Sequence, residues 1–191
     1  HITGYPNGVL GGSSDLVEGV QEGLVDIITE GPAQFAAWVP KAAQVEAPYL
    51  WQSVEHMQKA LNGGYKDTLN ELFQDIDVRI VGSFYYGTRQ LTANKPVTTL
   101  SDLSGMKIRV PQSDLYVKMV EAWGAAATPM NINELYMALQ TGTVDAQENP
   151  LTTYESYKFY EVVKNVILTN HIICPNMVFI NNDVWNSMSE H

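Results

Sequence analysis

Apolar residues recur along the chain in two rhythms, one suited to helices and one to strands, and the two alternate. Leu16, Val17 and Val20 make one apolar side of a predicted helix over Asp15–Glu22, with Ser13 or Ser14 placed to cap it. Gly23 ends that helix, and Leu24-Val25-Asp26-Ile27-Ile28 reads as a buried strand. Further helices are predicted over Ser53–Leu61 and Lys66–Phe73, around the Gly63-Gly64 break, and Asp77–Phe84 is the next strand. In the second half, Lys107-Ile108-Arg109-Val110 is a short strand stopped by Pro111. Ser113 caps a helix running to Trp123 and ended by Gly124, and Asn133–Gln140 is another, ended by Gly142. Thr143-Val144-Asp145-Ala146 returns to extended chain, Thr153–Val166 is helical, and Asn176–Ile180 is a last strand. Such alternation predicts an α/β fold with largely parallel sheets.

One passage occurs twice. Gln21-Glu22-Gly23-Leu24-Val25-Asp26 is echoed by Gln140-Thr141-Gly142-Thr143-Val144-Asp145: a helix end, a Gly cap, then Val-Asp. Any helix-to-strand junction uses Gly in this way. A corresponding unit in each of two similar lobes accounts for the echo equally well.

Composition narrows the function classes. With 191 residues, 45% hydrophobic and 17% charged, the chain can bury a core as one domain or as two small lobes. Its net charge of −10 argues against binding nucleic acid or anionic lipid, which needs clustered Lys and Arg. An anion site must therefore be built locally from a few of the 11 basic residues. Cys174 is the only cysteine, so neither an internal disulfide nor a cysteine-based metal cluster can form. The histidines His1, His56, His171 and His191 show no ligand spacing, and no metal or cofactor is expected. No apolar run reaches the length of a membrane span. The chain opens at His1-Ile2-Thr3 with no leader-like segment and reads as mature, trimmed or a fragment.

Linear signatures of catalysis are absent: there is no nucleophile elbow, Walker loop, dinucleotide fingerprint or His-Glu-x-x-His. What stands out instead is a few polar residues near strand ends. Arg109 alternates with Ile108 and Val110 and precedes Pro111, so it lies near the carboxyl end of a strand, where ligands bind in open α/β sheets. On that segment alone, a solvated ion pair is the better reading of Arg109. Tyr85-Tyr86-Gly87-Thr88-Arg89-Gln90 suits a site that stacks on a small ligand and grips its acid group, though cores also use Tyr pairs. Asn149 precedes Pro150, which holds it extended, so its amide can project from a strand end, and an ordinary turn serves equally.

Together these segments resemble the TRAP transporter solute-binding (DctP-like) family. The matching runs are Gly87-Thr88-Arg89-Gln90, Asn94-Lys95-Pro96, Asp102-Leu103 with Gly105–Pro111, Pro129-Met130, Glu134–Asp145 and Gln147-Glu148-Asn149-Pro150. Lys158–Val162 and Thr169-Asn170-His171 extend the likeness, as do Leu10-Gly11 and Pro48-Tyr49-Leu50. The resemblance implies a periplasmic, non-enzymatic receptor with two α/β lobes, each a mostly parallel sheet flanked by helices, and a ligand cleft between them. The first lobe would hold residues 1–86 with 175–191 returning to it, and the second residues 87–174. Family members extend beyond this chain at both ends.

By the same resemblance Arg109 is the carboxylate clamp, Arg89 a second basic position and Asn149 the amide meeting the same acid group. Glu30 matches an acidic residue that contacts ligand hydroxyls; Tyr85 and Tyr86 are expected at the site from their own place beside Arg89. The wording is closest to the branch that binds sialic acid and related sugar acids. It departs from sialic acid binders at Gln34, where an Arg is usual nearby, at Ile132, where a Phe is usual, and at Gly12-Ser13-Ser14, where acidic residues are usual. A smaller sugar acid such as a hexuronate is the first expectation, with sialic acid, a C4-dicarboxylate or a keto acid as alternatives. The partners implied are that small carboxylate and the subunits of a TRAP membrane permease. Two other classes remain open: an enzyme acting on sugar acids through Glu30 or Glu148, and a binding protein serving a sensor.

Overall fold

The computed structural model describes residues 2–6 and 8–188, so His1, His191 and the end of the 175–191 segment lie outside the described residues. The described residues form seven α-helices: α1 (Ser13–Gln21), α2 (Val54–Leu61), α3 (Gly64–Phe73), α4 (Asp114–Ala122), α5 (Ile132–Gln140), α6 (Leu151–Ser156) and α7 (Asn182–Ser187). The strands are β1 (Ile27–Glu30), β2 (Val78–Ala93), β3 (Lys107–Val110), β4 (Ala126–Pro129), β5 (Ala146–Pro150) and β6 (Asn165–Asn181). They form one six-stranded sheet in the order β1-β6-β2-β5-β3-β4.

The fold is α/β, but its sheet is mixed, which corrects the expectation of largely parallel sheets. Only β3 pairs in parallel, with β4 and β5, whereas β1/β6, β2/β6 and β2/β5 are antiparallel. The reason is the length of β2 and β6, which span 16 and 17 residues and run side by side as a common spine. Register shifts after Ile80, Tyr85 and Arg89 let β2 bend along this path without losing its partner.

Three local expectations change with it. Residues Tyr85 to Gln90 lie within β2, not after a strand. The predicted helix Thr153–Val166 is only α6 and a 3-10 turn, because Lys158 takes a left-handed φ of 56° and Asn165 already belongs to β6. Extended chain resumes at Ala146, so Gln147-Glu148-Asn149-Pro150 is the strand β5 itself. The repeated junction is real in local geometry. Gly23 and Gly142 close α1 and α5 with φ of 71° and 72°, a conformation a Cβ disfavours.

Apolar side chains gather in separate clusters along the spine. Val17, Val20, Phe35, Phe73 and Phe179 centre one, with the three Phe rings in mutual contact. Leu91, Ile108, Val110, Tyr116 and Ile172 centre a second, and Leu135, Val144 and Phe159 a smaller third. Each such side chain, fully buried, contributes roughly 1.5–3 kcal/mol of hydrophobic stabilisation. The second cluster holds β3 against α4 and thereby fixes where Arg109 emerges.

Candidate functional site

Arg109 stands next to last in β3, and Pro111 cuts the strand off just beyond it. Only 4% of its surface is exposed. Its Nε and Nη2 donate to the Met130 carbonyl at 3.0 and 2.7 Å. Among the described residues no carboxylate makes an ion pair with it. Burial pushes the guanidinium down to about 10, against a pull upward from the more distant Glu148, so the side chain stays cationic at neutral pH. A guanidinium has five N–H donors, and Met130 takes two from one edge. The edge formed by Nη1 and Nη2 is left for an anion, in the geometry that grips both oxygens of a carboxylate.

Around this cation the structure gathers residues from distant parts of the chain. Ser13, Gln34, Pro111, Gln112, Met130, Asn131 and Ile132 line one small cleft with Arg109. Two nine-residue helices begin there, α1 at Ser13 and α5 just after its cap Asn131, whose side chain accepts from the Asn133 amide at 3.0 Å. The positive ends of their dipoles add to the local preference for an anion. Gln34 and Ile132 are thus brought to Arg109, as is Ser13 of the Gly12-Ser13-Ser14 run, while Gln112 and Asn131 line the cleft without having been expected there. A polar residue at a helix start was the available signal for Asn131.

Glu30, at the end of β1, is partly covered by its surroundings. Burial raises its carboxyl to about 7, with Ser13 and the Gly31 backbone pulling the other way. Partial burial raises the Tyr157 hydroxyl, with Tyr86 and Glu30 adding to the rise and Arg109 opposing it. The Tyr86 hydroxyl lies 2.8 Å from Thr153 Oγ1. The Tyr85 hydroxyl lies 2.7 Å from Thr88 Oγ1.

Arg89 differs sharply from Arg109. Its Nε and Nη2 donate to Glu148 Oε2 and Oε1 at 2.5 and 2.7 Å, and Nη2 also reaches the Glu148 carbonyl at 2.8 Å and Asn149 Oδ1 at 3.3 Å. Burial works against its charge, but Glu148 outweighs burial and the pKa lies well above the ordinary value. On the other side, His171 Nε2 sits 3.0 Å from Glu148 Oε2 and its Nδ1 is 2.8 Å from Thr169 Oγ1. Asn149 donates through Nδ2 to Gln147 Oε1 at 2.6 Å. Arg89 and Asn149 are therefore neighbours, joined in a buried network centred on Glu148. Among the described residues no group of three or more His, Cys, Asp and Glu side chains is placed to hold a metal ion.

Residues 1–191 match the family model DctP, described as bacterial extracellular solute-binding protein, family 7. The chain is 34% identical over 187 residues to the sialic acid-binding periplasmic protein SiaP of Vibrio cholerae, a match covering 97% of this chain and 58% of that protein. It is 32% identical over 186 residues to the 2,3-diketo-L-gulonate-binding periplasmic protein YiaO of Escherichia coli, covering 97% and 57%. Among solved structures, a TRAP periplasmic solute-binding protein of Xanthobacter autotrophicus with bound β-D-galacturonate superposes with a TM-score of 0.92 at 31% identity, covering 97% of this chain and 62% of that one. One from Citrobacter koseri with bound D-glucuronate gives a TM-score of 0.94 at 30% identity, covering 99% and 64%. The chain spans 57–58% of the length of the two curated relatives. With a family match along its whole length and a shared fold, the chain belongs to DctP, family 7 of the bacterial extracellular solute-binding proteins.

Proposed function

We propose that this chain is the ligand-binding part of a periplasmic TRAP receptor that captures a sugar acid, a hexuronate first, and delivers it to a membrane permease. The observation that carries this is Arg109: a buried cation with, among the described residues, no acidic partner and one guanidinium edge unused. A ligand carboxylate bound there supplies the missing counter-charge and two parallel hydrogen bonds. Ser13, Gln34, Gln112 and Asn131 add neutral polar groups suited to hydroxyls, with Glu30 close by. Gln34, Ile132 and the uncharged Gly12-Ser13-Ser14 favour a hexuronate over sialic acid.

In this reading the first lobe comprises residues 1–86 and 175–191, the second residues 87–174, and the ligand bridges Glu30 and Gln34 to Arg109 and Asn149. Closure follows from contacts the acid makes in the closed form alone. Arg89 acts by positioning Asn149 and β5, since Glu148 already neutralises it. Glu148 is committed to Arg89 and His171, which leaves it a poor general acid or base and supports a receptor over an enzyme.

Titration of the chain with D-galacturonate, D-glucuronate and N-acetylneuraminate by calorimetry, with thermal-shift screening alongside, tests the proposal. At 100 times its dissociation constant a true ligand stabilises the fold by about 2.7 kcal/mol. Stabilisation by uronates supports the reading. A response confined to amino acids or neutral sugars overturns it.

A further inference from the structure

Glu46 is a carboxylate with 2% of its surface exposed and no basic residue in ion-pair contact among the described residues. It ends a 3-10 turn, Pro40–Glu46, far in sequence from either arginine. Its two oxygens serve two different parts of the site. Oε1 accepts from the Ala33 amide at 2.8 Å, within the 3-10 turn Pro32–Phe35 that carries Gln34 and is separated from Glu30 by Gly31. Oε2 accepts from the Tyr116 hydroxyl, on the helix α4 that follows β3 and Arg109. The fit is close enough that a Cβ on Gly31 would lie 2.6 Å from Glu46 Oε1. Tyr116 is itself 1% exposed, and the Arg89 guanidinium carbon lies 4.9 Å from the centroid of its ring. One carboxylate and one phenol therefore connect the turn bearing Gln34, just past the end of β1 at Glu30, to the helix that follows Arg109, and both are buried from water.

We propose that Glu46 and Tyr116 are a positioning pair, a latch between the two lobes whose hydrogen bond holds the ligand-bearing loop against the Arg109 segment and slows release of the bound acid. The inference rests on the receptor reading and on the lobe division given above, which sets Glu46 and Tyr116 in different lobes. Because the pair is shielded, water cannot take over a bond lost there. The effect falls on escape of the ligand and not on its entry, since most changes within one interface appear in the dissociation rate.

Stopped-flow measurement with D-galacturonate, on the chain and on Tyr116→Phe, Glu46→Gln and the double variant, tests it. Tyr116→Phe removes the hydroxyl and keeps the ring over Arg89, and Glu46→Gln keeps an acceptor for the Ala33 amide. The expected result is a dissociation rate about tenfold faster in each single variant at an unchanged association rate. In the double variant the rate stays close to that of the faster single one, because the two residues share one interaction. Thermal melts run alongside report the folded fraction. Unchanged dissociation in both singles overturns the latch, as does a loss that merely tracks a lower folded fraction. If the unaltered chain binds no uronate, the receptor reading falls and the latch with it; if it binds and the variants release at the same rate, the latch alone falls.

Discussion

Arg89 and Glu148 meet across the antiparallel β2/β5 ladder through two side-chain hydrogen bonds of 2.5 and 2.7 Å, and His171 approaches the same carboxylate at 3.0 Å. Burial alone would raise the Glu148 carboxyl, but Arg89 reverses this and holds it at about 2. The pair divides the labour between two buried arginines: Arg89 has its counter-charge within the fold, whereas Arg109 has none among the described residues.

Removing one member of the matched pair strands the other. Glu148→Gln leaves the Arg89 guanidinium buried without an anion, and urea unfolding is expected to show a loss of about 3–5 kcal/mol. The pH dependence has a definite sign. With its folded pKa depressed from 4.5 to about 2, Glu148 stabilises fully above pH 4.5 and loses this contribution as pH falls toward 2. Acid titration of stability should show that decline in the unaltered chain and a shallower one in Glu148→Gln. Equal slopes would mean that the pair does not govern acid unfolding.

Arg109 predicts the opposite pattern. Arg109→Met keeps much of the length and apolar stem while removing a buried cation whose hydrogen bonds among the described residues go to the Met130 carbonyl. Fold stability should change by no more than about 1 kcal/mol, the desolvation relieved offsetting the hydrogen bonds lost. Affinity for a uronate should fall by about 2–5 kcal/mol, set against about −8 kcal/mol for micromolar binding. Calorimetric titration beside urea unfolding separates the two effects. Retained affinity in Arg109→Met rules out the carboxylate clamp.

Glu30 carries the third prediction. Its folded pKa is raised from 4.5 to about 7, chiefly by burial, so the folded state holds its proton more tightly than the unfolded state does. The favourable contribution is present below pH 4.5 and is lost as pH rises through 7. Glu30→Gln, neutral throughout, should therefore gain on the unaltered chain between these limits and hold a constant advantage above them. Melting temperatures across this range check it, and a difference independent of pH would show that Glu30 has an ordinary carboxyl.

The elements easiest to read in the sequence are those whose limits are set locally. Lys107–Val110 is a strand ended by Pro111, and α5 lies between Asn131 as its cap and the left-handed Gly142. The long reach of β2 and β6 is not legible in this way. Gln90 and Asn170 look like loop residues, yet each satisfies the other across the ladder, at 2.7 Å between side chains and 2.8 Å from the Asn170 amide to Gln90 Oε1. Pro175 is tolerated because β1 pairs with β6 only from Met177 onward, leaving one side of the strand free of a partner at that point. The site divides similarly. Arg109 is marked by its place at a strand end, whereas the neutralisation of Arg89 depends on which strand β2 lies beside, and nothing near Arg89 in the chain reports it.

Gly87 tests how tightly that ladder is built. Its φ of 150° is one that L side chains rarely adopt, and it follows the register shift after Tyr85. A Cβ there would lie 2.5 Å from Pro150 Cβ, at the end of the strand that carries Glu148 and Asn149. Gly87→Ala must therefore both strain β2 and push β5 away, at a cost of about 1–3 kcal/mol. Gly82 is the control within the same strand, since the nearest atom to its added Cβ is Asn62 Oδ1 at 4.0 Å. Gly82→Ala should change stability by less than about 1 kcal/mol, the whole span of strand propensity. Equal losses at the two positions in urea unfolding would assign the effect to strand propensity, whereas a loss confined to Gly87 assigns it to the approach of Pro150.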